Sequence, residues 1–261
     1  DKDQGYFADG ISEELLNSLS KISDLQVTSR TSAFSFKGKN VSISEIGKLL
    51  AVTHILEGSI RKAGNMLRIT AQLINTTNDA HIWSETYDRA LTIDNIFDIQ
   101  DEISTAIVSE LEGKLNIIAR KKNNHPKSLV AYELYLRARS SMLKRQPATL
   151  KTAVADFKKV IELDPTFAAA YAGLADAYLL SSEYSDINKV DAIAKAKPML
   201  MRAIELAPSS FDTLIVTATL AYFESDWPKV IRFANEALMI NPNSAYALVR
   251  LANGYLQNGN P

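Results

Sequence analysis

The stretch LEGSIRKAGNMLRITAQLINTTNDAHIWSETYDRA, residues 56–90, alternates apolar and polar side chains almost without interruption. Successive side chains of a β-strand point to opposite faces, so Leu67, Ile69 and Leu73 would share one face and Arg68 the other. Turn-forming Gly and Asn residues separate the alternating runs, which is typical of an antiparallel meander with one apolar face. The predicted strands are 53–61, 66–75 and 81–88.

Helical patterns flank this meander. Apolar residues recur at helical spacing in DGISEELLNSLSKI (9–22), SISEIGKLLAV (42–52) and IDNIFDIQDEISTAIVSELEGKL (93–115). LQVTSR (25–30) has the pattern of a short additional strand. Helices packed on the apolar face of the sheet would complete one layered domain. We therefore predict an α+β sandwich domain, with a mixed sheet and helices on one face, over residues 1–119.

The second half of the chain repeats a short motif. ELDP ends at Pro165, ELAP at Pro208 and MINP at Pro242. The last two prolines are 34 residues apart, which is the tetratricopeptide period, and the first two are 43 apart, which is one period plus a nine-residue insertion. These spacings predict an all-α tetratricopeptide repeat solenoid over residues 130–261. Small or β-branched residues stand where the paired helices of such repeats approach closely, namely Ala153, Val160, Ala196, Ala203, Val230 and Ala237.

A polar segment joins the two regions. Residues 120–129 contain a proline and lack apolar periodicity, so we interpret them as an interdomain linker. The basic run at 120–122 could form a phosphate site, but a solvated helix end is the favoured interpretation. At the other end, LANGYLQNGNP (251–261) stops midway through a helical pair. We predict about three repeats plus a partial or capping helix, and we favour further repeats after this point over a cap.

Composition argues against several classes of function. The chain has 29 basic and 30 acidic residues, and neither half carries the basic excess that binding to nucleic-acid phosphates requires. The chain contains no cysteine, which excludes disulfides, thiolate metal sites and cysteine nucleophiles. No apolar run approaches the roughly 20 residues of a membrane span. We therefore expect neither direct nucleic-acid contact nor a membrane span in this segment.

The order of motifs resembles a bacterial arrangement. YFADGISEELLNSLSKI (6–22), LQVTSRTSAFSFKGK (25–39) and the segment 45–89 are similar to the TolB amino-terminal-like (FlgO-like) domain. AYELYLRAR (131–139) resembles the segment that opens the repeats in such proteins. The resemblance implies a place in CadC-like transcriptional regulators or in class III adenylate cyclase-associated proteins. The effector would then lie upstream, as a winged-helix DNA-binding domain, often followed by a membrane span, or as a nucleotide cyclase domain.

The resemblance also raises a question about oligomeric state. The family's domain usually opens with a β-strand of the VAVLPF kind, and this sequence starts after the point where that strand should end. A missing strand would leave an exposed sheet edge, which favours pairing with another chain. A homodimer formed through this edge is a hypothesis.

No catalytic or cofactor-binding pattern is present in the sequence. It lacks the glycine-rich phosphate loops and the nucleophile elbow. The histidines His54, His81 and His125 are not at metal-ligand spacing, and a structural role is favoured over ligand contact for each. We therefore predict no catalytic residue, no metal site and no cofactor in this segment.

Two further clusters have competing interpretations. Asp98, Asp101 and Glu102 lie within about one helical turn and could serve a metal or acid–base role, but a solvated helix face is favoured. Trp83 and Tyr87 share a strand face, where packing is favoured over a ligand platform.

The best candidate for a binding surface is the inner groove of the repeats. The first helix of each pair lines such a groove, which receives a peptide or a partner helix. The expected groove residues are Tyr135, Arg139, Asp176, Thr219, Tyr222, Tyr246, Arg250 and Asn253. Ordinary packing or a solvated edge is the alternative for each of them. Ala169, Ala172 and Gly173 stand where part of a carboxylate clamp would lie, so recognition of a C-terminal carboxylate is disfavoured.

These observations favour recognition over catalysis. The first hypothesis is a non-catalytic sensory or protein-interaction module of a bacterial signalling or transcription-regulatory protein, whose repeats bind a protein or peptide. The alternative is a cytoplasmic accessory region of a class III adenylate or guanylate cyclase, and a free scaffold protein is a third possibility. We expect the segment to be periplasmic if the parent protein has an upstream membrane span, and cytoplasmic otherwise.

Overall fold

The structure is a computed structural model that describes residues 5–22, 25–111, 126–185 and 187–259. The chain divides into two compact units. The first, which we call the sheet unit, lies within Ile11–Ala119. The second, which we call the repeat unit, combines Asp1–Gly10 with Arg120–Pro261.

The predicted linker falls mostly outside the described part of the chain. Residues 120–125, which include the basic run and His125, are not among the described residues, and helix begins at Leu129. The domain boundary at this point therefore stays a prediction.

The first part of the chain contains four helices and three strands among the described residues. In chain order they are α1 (Gly5–Leu19), α2 (Arg30–Phe34), α3 (Ile43–Leu50), β1 (His54–Ala63), β2 (Met66–Asn75), β3 (His81–Ala90) and α4 (Ile93–Leu111).

The three strands form an antiparallel sheet in the order β1-β2-β3, which confirms the predicted meander. Gly58 of β1 lies opposite Ala71 of β2, which in turn lies opposite Glu85 of β3. Leu67 and Ile69 are buried on one face. The other face of β2 is polar, as predicted from the alternation of its side chains.

The start of the sheet unit differs from the sequence prediction. The predicted strand at 25–30 is wrong, because residues 25–29 form no strand and Arg30 begins α2. Ser29 caps this helix by accepting a hydrogen bond from the backbone N–H of Ser32 at 3.3 Å, a local bond that competes with strand pairing. The three described strands are all antiparallel, so the described sheet is not mixed.

The long helix α4 presents the predicted apolar stripe. Ile96, Ile99, Ile103 and Ile107 are buried at helical spacing. Because α4 follows β3 directly and contacts it, the stripe places the helix over the sheet.

The repeat unit contains seven longer helices in its described part. They are α5 (Leu129–Leu143), α6 (Pro147–Leu163), α7 (Ala168–Tyr184), α8 (Lys189–Leu206), α9 (Phe211–Glu224), α10 (Trp227–Ile240) and α11 (Ala245–Gln257). The predicted nine-residue insertion lengthens one pair, because α7 and α8 have 17 and 18 residues whereas α9 and α10 have 14 each.

The helices pack as pairs, which confirms the predicted helical repeats. Helices α5 and α6, α7 and α8, and α9 and α10 lie against each other. The first helices α5, α7, α9 and α11 also contact one another in that order, and we call them the inner layer. The six small or β-branched register residues are fully buried, as their positions between paired helices require.

Asp164 stabilises the turn between α6 and α7. Its carboxylate accepts hydrogen bonds from the backbone N–H of Thr166 at 3.1 Å, from the Thr166 hydroxyl at 2.7 Å and from the backbone N–H of Lys127 at 2.9 Å. Burial raises the pKa of this carboxyl, but the hydrogen bonds from Thr166 and Lys127 outweigh burial and hold the pKa below its usual range. Asp164 therefore fixes the segment that leads into α5 against the first repeat turn.

Candidate functional site

All eight residues predicted for the groove lie on the inner layer. Helix α5 carries Tyr135 and Arg139, α7 carries Asp176, α9 carries Thr219 and Tyr222, and α11 carries Tyr246, Arg250 and Asn253. Five of them come together in space, and we call these the tyrosine–arginine cluster: Asp176, Thr219, Tyr222, Tyr246 and Arg250.

The hydroxyl of Tyr246 is the centre of the tyrosine–arginine cluster. It donates to Oδ1 of Asp176 at 3.2 Å and lies 3.0 Å from the hydroxyl of Thr219. It also accepts a hydrogen bond from Nη2 of Arg250 at 3.4 Å. Through these contacts one side chain of α11 reaches both α9 and α7.

Two tyrosine rings hold the Arg250 guanidinium. It lies 4.7 Å from the centroid of the Tyr222 ring and 5.3 Å from that of Tyr246, within the range of cation–π attraction. Arg250 is 7% exposed, and its Nε–H has no hydrogen-bond acceptor among the described residues. The cluster therefore contains a cation whose donors are only partly used.

Asp176 is the buried acid of the cluster. Burial raises its pKa, although Arg250, the hydrogen bond from Tyr246, Arg139 and Arg145 all act in the opposite direction. Burial and the nearby Asp176 carboxyl also raise the pKa of Tyr246 to about 12. The fold therefore favours the neutral forms of both groups.

A substitution at Asp176 tests whether the fold favours the neutral form of this carboxyl. A folded-state pKa above the unfolded value means that ionisation costs stability, and this cost grows as pH rises above about 4. Asp176→Asn keeps an acceptor for Tyr246 but cannot ionise, so we expect the melting temperature at pH 7 to increase by a few degrees. Thermal unfolding followed by circular dichroism from pH 3 to 8 should show this advantage shrinking towards pH 3. A lower melting temperature at pH 7 would contradict the assignment.

A second contact group lies at the α5 end of the inner layer. Nη1 of Arg139 donates to the Tyr135 hydroxyl at 3.4 Å and lies 3.6 Å from Oδ1 of Asp212 at the start of α9. The Tyr135 ring packs edge-on against Phe157 and Phe167. Arg139 thus links α5 to α9 past the intervening helix α7.

Exposure divides the predicted residues into two kinds. The buried members support the surface rather than form it, and they are Tyr135, Asp176, Thr219 and Arg250. Arg139, Tyr222, Tyr246 and Asn253 are half-buried, and they are the members of the predicted set that a ligand could touch without rearrangement.

Arg145, which follows α5, is not among the residues predicted from the sequence. Its guanidinium lies over the Tyr184 ring at 5.7 Å and Nη1 donates to the Tyr184 hydroxyl at 3.3 Å. Arg145 has a φ of 49°, a left-handed conformation that is uncommon outside glycine. A loop residue just outside a helix gives no periodic signal, so the spacing of the repeats could not indicate it.

The other candidate residues show weaker arrangements. Asp98, Asp101 and Glu102 are exposed and line an open depression beside Tyr87, and Glu102 pairs with Arg89 at 3.6 Å. Within the described ranges, no group of three or more His, Asp or Glu side chains could hold a metal ion. Across the same ranges, no helix has the length and apolarity that crossing a membrane requires.

One sequence relative provides information on the parent protein. The chain is 41% identical over 177 residues to the Rhizobium meliloti (strain 1021) protein named "Putative adenylate cyclase 3". The alignment covers 67% of this chain but only 30% of the relative, so the chain spans about a third of that protein's length. No protein-family profile matches the chain.

A solved structure is similar to part of the chain. It is titled "First TPR of Spaghetti (RPAP3) bound to HSP90 peptide SRMEEVD", and the match has a TM-score of 0.40 at 15% sequence identity. The match covers 51% of this chain and 95% of that one.

Proposed function

We propose that this chain is a non-catalytic protein-interaction region, and that its inner layer binds a segment of a protein or peptide partner. The observation that carries the proposal is the tyrosine–arginine cluster. Its half-buried tyrosines and its incompletely paired arginine are the side-chain types that dominate binding energy at protein interfaces. Fixed aromatic and guanidinium groups also lose little conformational entropy when a ligand binds.

We further propose that the parent protein is a nucleotide cyclase, with this chain as an accessory region. The relative with a cyclase name supports this role over a transcription regulator, for which only the motif resemblance argues. The assignment of the sheet unit to the TolB amino-terminal-like domain stays a prediction, and so do the periplasmic or cytoplasmic location and the homodimer. The cyclase proposal is tested by assaying the full-length gene product for conversion of ATP to cyclic AMP. Failure to form any cyclic nucleotide would contradict it.

Site-directed photo-crosslinking in the native cell tests the interaction proposal. A photoreactive residue at Asn253, on the inner layer, should cross-link a partner protein. The matched control is Met239, which is 83% exposed on the second helix α10 and should cross-link none. Tyr222→Ala should then weaken cross-linking from Asn253 while the circular dichroism spectrum stays unchanged. Equal cross-linking from both positions would refute the assignment of the inner layer.

A further inference from the structure

We propose that the repeat unit has a second binding site, a depression at the junction of α8, α9 and α10 that takes a small molecule with a phenol ring. This inference goes beyond the proposed function, because none of the lining residues belongs to the tyrosine–arginine cluster and the ligand is not a protein segment. Its basis is a difference between two junctions that hold the same place in successive repeats.

The depression is of a size and polarity that suit an aromatic ring. It has a volume of about 390 Å³, which lies within the usual range for ligand pockets. Leu214 and Thr217 of α9 are its buried lining residues and form its floor. The apolar lining also includes Ile204 of α8 and Phe233 and Ile240 of α10. An apolar ring therefore gains free energy by leaving water for this surface.

Tyr171 fills the equivalent space one repeat earlier. Tyr171 and Leu214 each lie six residues after a repeat proline, Pro165 and Pro208, so they hold the same position in their repeats. The Tyr171 side chain is 9% exposed, and its hydroxyl donates to the backbone oxygen of Pro165 at 3.3 Å. A phenol ring is thus built into the first junction, whereas the shorter Leu214 leaves the second junction open.

The second helices support the correspondence of the two junctions. Arg202 and Glu236 each lie six residues before a repeat proline, Pro208 and Pro242. Arg202 interacts electrostatically with Tyr171, and Glu236 lines the depression. The Tyr171 side chain therefore reaches, in the first junction, the positions that border the depression in the second. A phenol ring is the group that this packing of helices accommodates.

Two acceptors in the lining favour a ligand whose hydroxyl donates a hydrogen bond. Pro208 lines the depression, and its carbonyl oxygen accepts no hydrogen bond from any described residue. Glu236 contributes a carboxylate, whose contact with Arg232 at 3.9 Å leaves further acceptor capacity. A phenol hydroxyl can donate to either group, whereas an anionic ring would be repelled by Glu236.

Met239 can cover a bound ring. It lines the depression and is 83% exposed. A methionine side chain is unbranched, adapts to irregular surfaces and is attracted to aromatic rings through its sulfur. Its rotamer freedom falls when it packs on a ligand, so the cover adds specificity for a ring at a modest gain in affinity.

Titration of the whole chain with p-cresol tests the inference, because p-cresol is the tyrosine side chain without its backbone. In NMR spectra of the nitrogen-15-labelled chain we expect shift changes centred on Leu214, with a dissociation constant on the order of 1 mM, as is usual for a ligand of this size on an open site. Toluene lacks the hydroxyl and should bind about fivefold more weakly. Benzoate should bind at least about tenfold more weakly because of its charge.

Variants of the lining identify the site. Leu214→Tyr places a ring in the depression from within and should abolish p-cresol binding. Met239→Glu changes an exposed side chain, so it keeps the test valid if Leu214→Tyr fails to fold, and it should weaken binding about threefold to tenfold. Met201→Glu is the matched control, because Met201 is a 63% exposed methionine of the second helix α8 outside the lining, and it should leave binding unchanged.

Each of the other outcomes overturns the inference. Shift changes centred elsewhere, or no binding up to roughly 20 mM p-cresol, would remove the site. Equal affinities for p-cresol and toluene would contradict recognition of a phenol, and unchanged binding by Leu214→Tyr would place the ring in another space. A protein cross-linked from Met239 would assign the depression to a partner's side chain instead of a small molecule. Cross-linking from Asn253 tests the inner layer separately, so failure of this site and failure of the proposed function are distinguishable.

Discussion

Phe157→Ala should lower the free energy of unfolding of the repeat unit by about 3–5 kcal/mol, the usual cost of truncating a buried phenylalanine. Phe157 is fully buried in α6, and its ring packs edge-on against Tyr135 of α5 at 6.0 Å. It also occupies the space beside Gly173 of α7, where a Cβ atom would lie only 2.5 Å from the ring. The ring thus fills the junction of three helices, and its loss leaves a cavity that they cannot close without moving.

Urea unfolding followed by circular dichroism measures this effect, and a double-mutant cycle shows its origin. Gly173→Ala alone should destabilise the chain, because its methyl group meets the ring. In the Phe157→Ala background the same methyl group enters the cavity, so the combined loss should be smaller than the sum of the two single losses. Strictly additive losses would mean that the two positions do not share this space.

Gly58→Val should disrupt the pairing of β1 with β2, with an expected loss of at least about 3 kcal/mol, in the range reserved for severe overpacking and strain. A Cβ atom at Gly58 would clash with the backbone oxygen of Thr70. Because the obstacle is a backbone atom of the neighbouring strand, no side-chain rotation can relieve the contact. The strands would have to separate at this point.

Hydrogen exchange read by mass spectrometry over β1 and β2 tests this prediction. Gly58→Val should lose protection across both strands, whereas Ser59→Val at the adjacent exposed position should keep it, since a β-branched residue suits an exposed strand position. Unchanged protection in Gly58→Val would show that the strands have room for a side chain there.

The sequence predicted the secondary structure and the buried positions correctly where these depend on regular periodicity. The alternation of β2 predicted a strand at 66–75, which is the observed range Met66–Asn75. The repeated prolines predicted the positions of Ala196 and Ala203, because a fixed period fixes which side chains lie between paired helices. The strand predicted at 25–30 failed, since a serine cap within SRTS stabilises a helical turn that apolar periodicity does not reveal.

Only part of the candidate site could be predicted from the sequence. Register placed Asp176 and Tyr246 on the same face of the first helices α7 and α11, but the hydrogen bond between them joins residues 70 positions apart. Whether two such side chains meet depends on how closely the first helices approach, which no single-helix pattern encodes. Register therefore identified the residues but could not distinguish the buried Asp176 from the half-buried Tyr246.

The bond from Tyr246 to Asp176 and the ion pair from Arg139 to Asp212 have a consequence for how the repeats unfold. Repeat arrays usually melt as a chain of units, each coupled only to its immediate neighbours, so that end units can fray while the middle persists. Here α11 is coupled to α7, and α5 to α9, past the helix that lies between them. Second-neighbour coupling raises the number of units that must open together. The array should therefore lose its structure as one cooperative block instead of fraying from its ends.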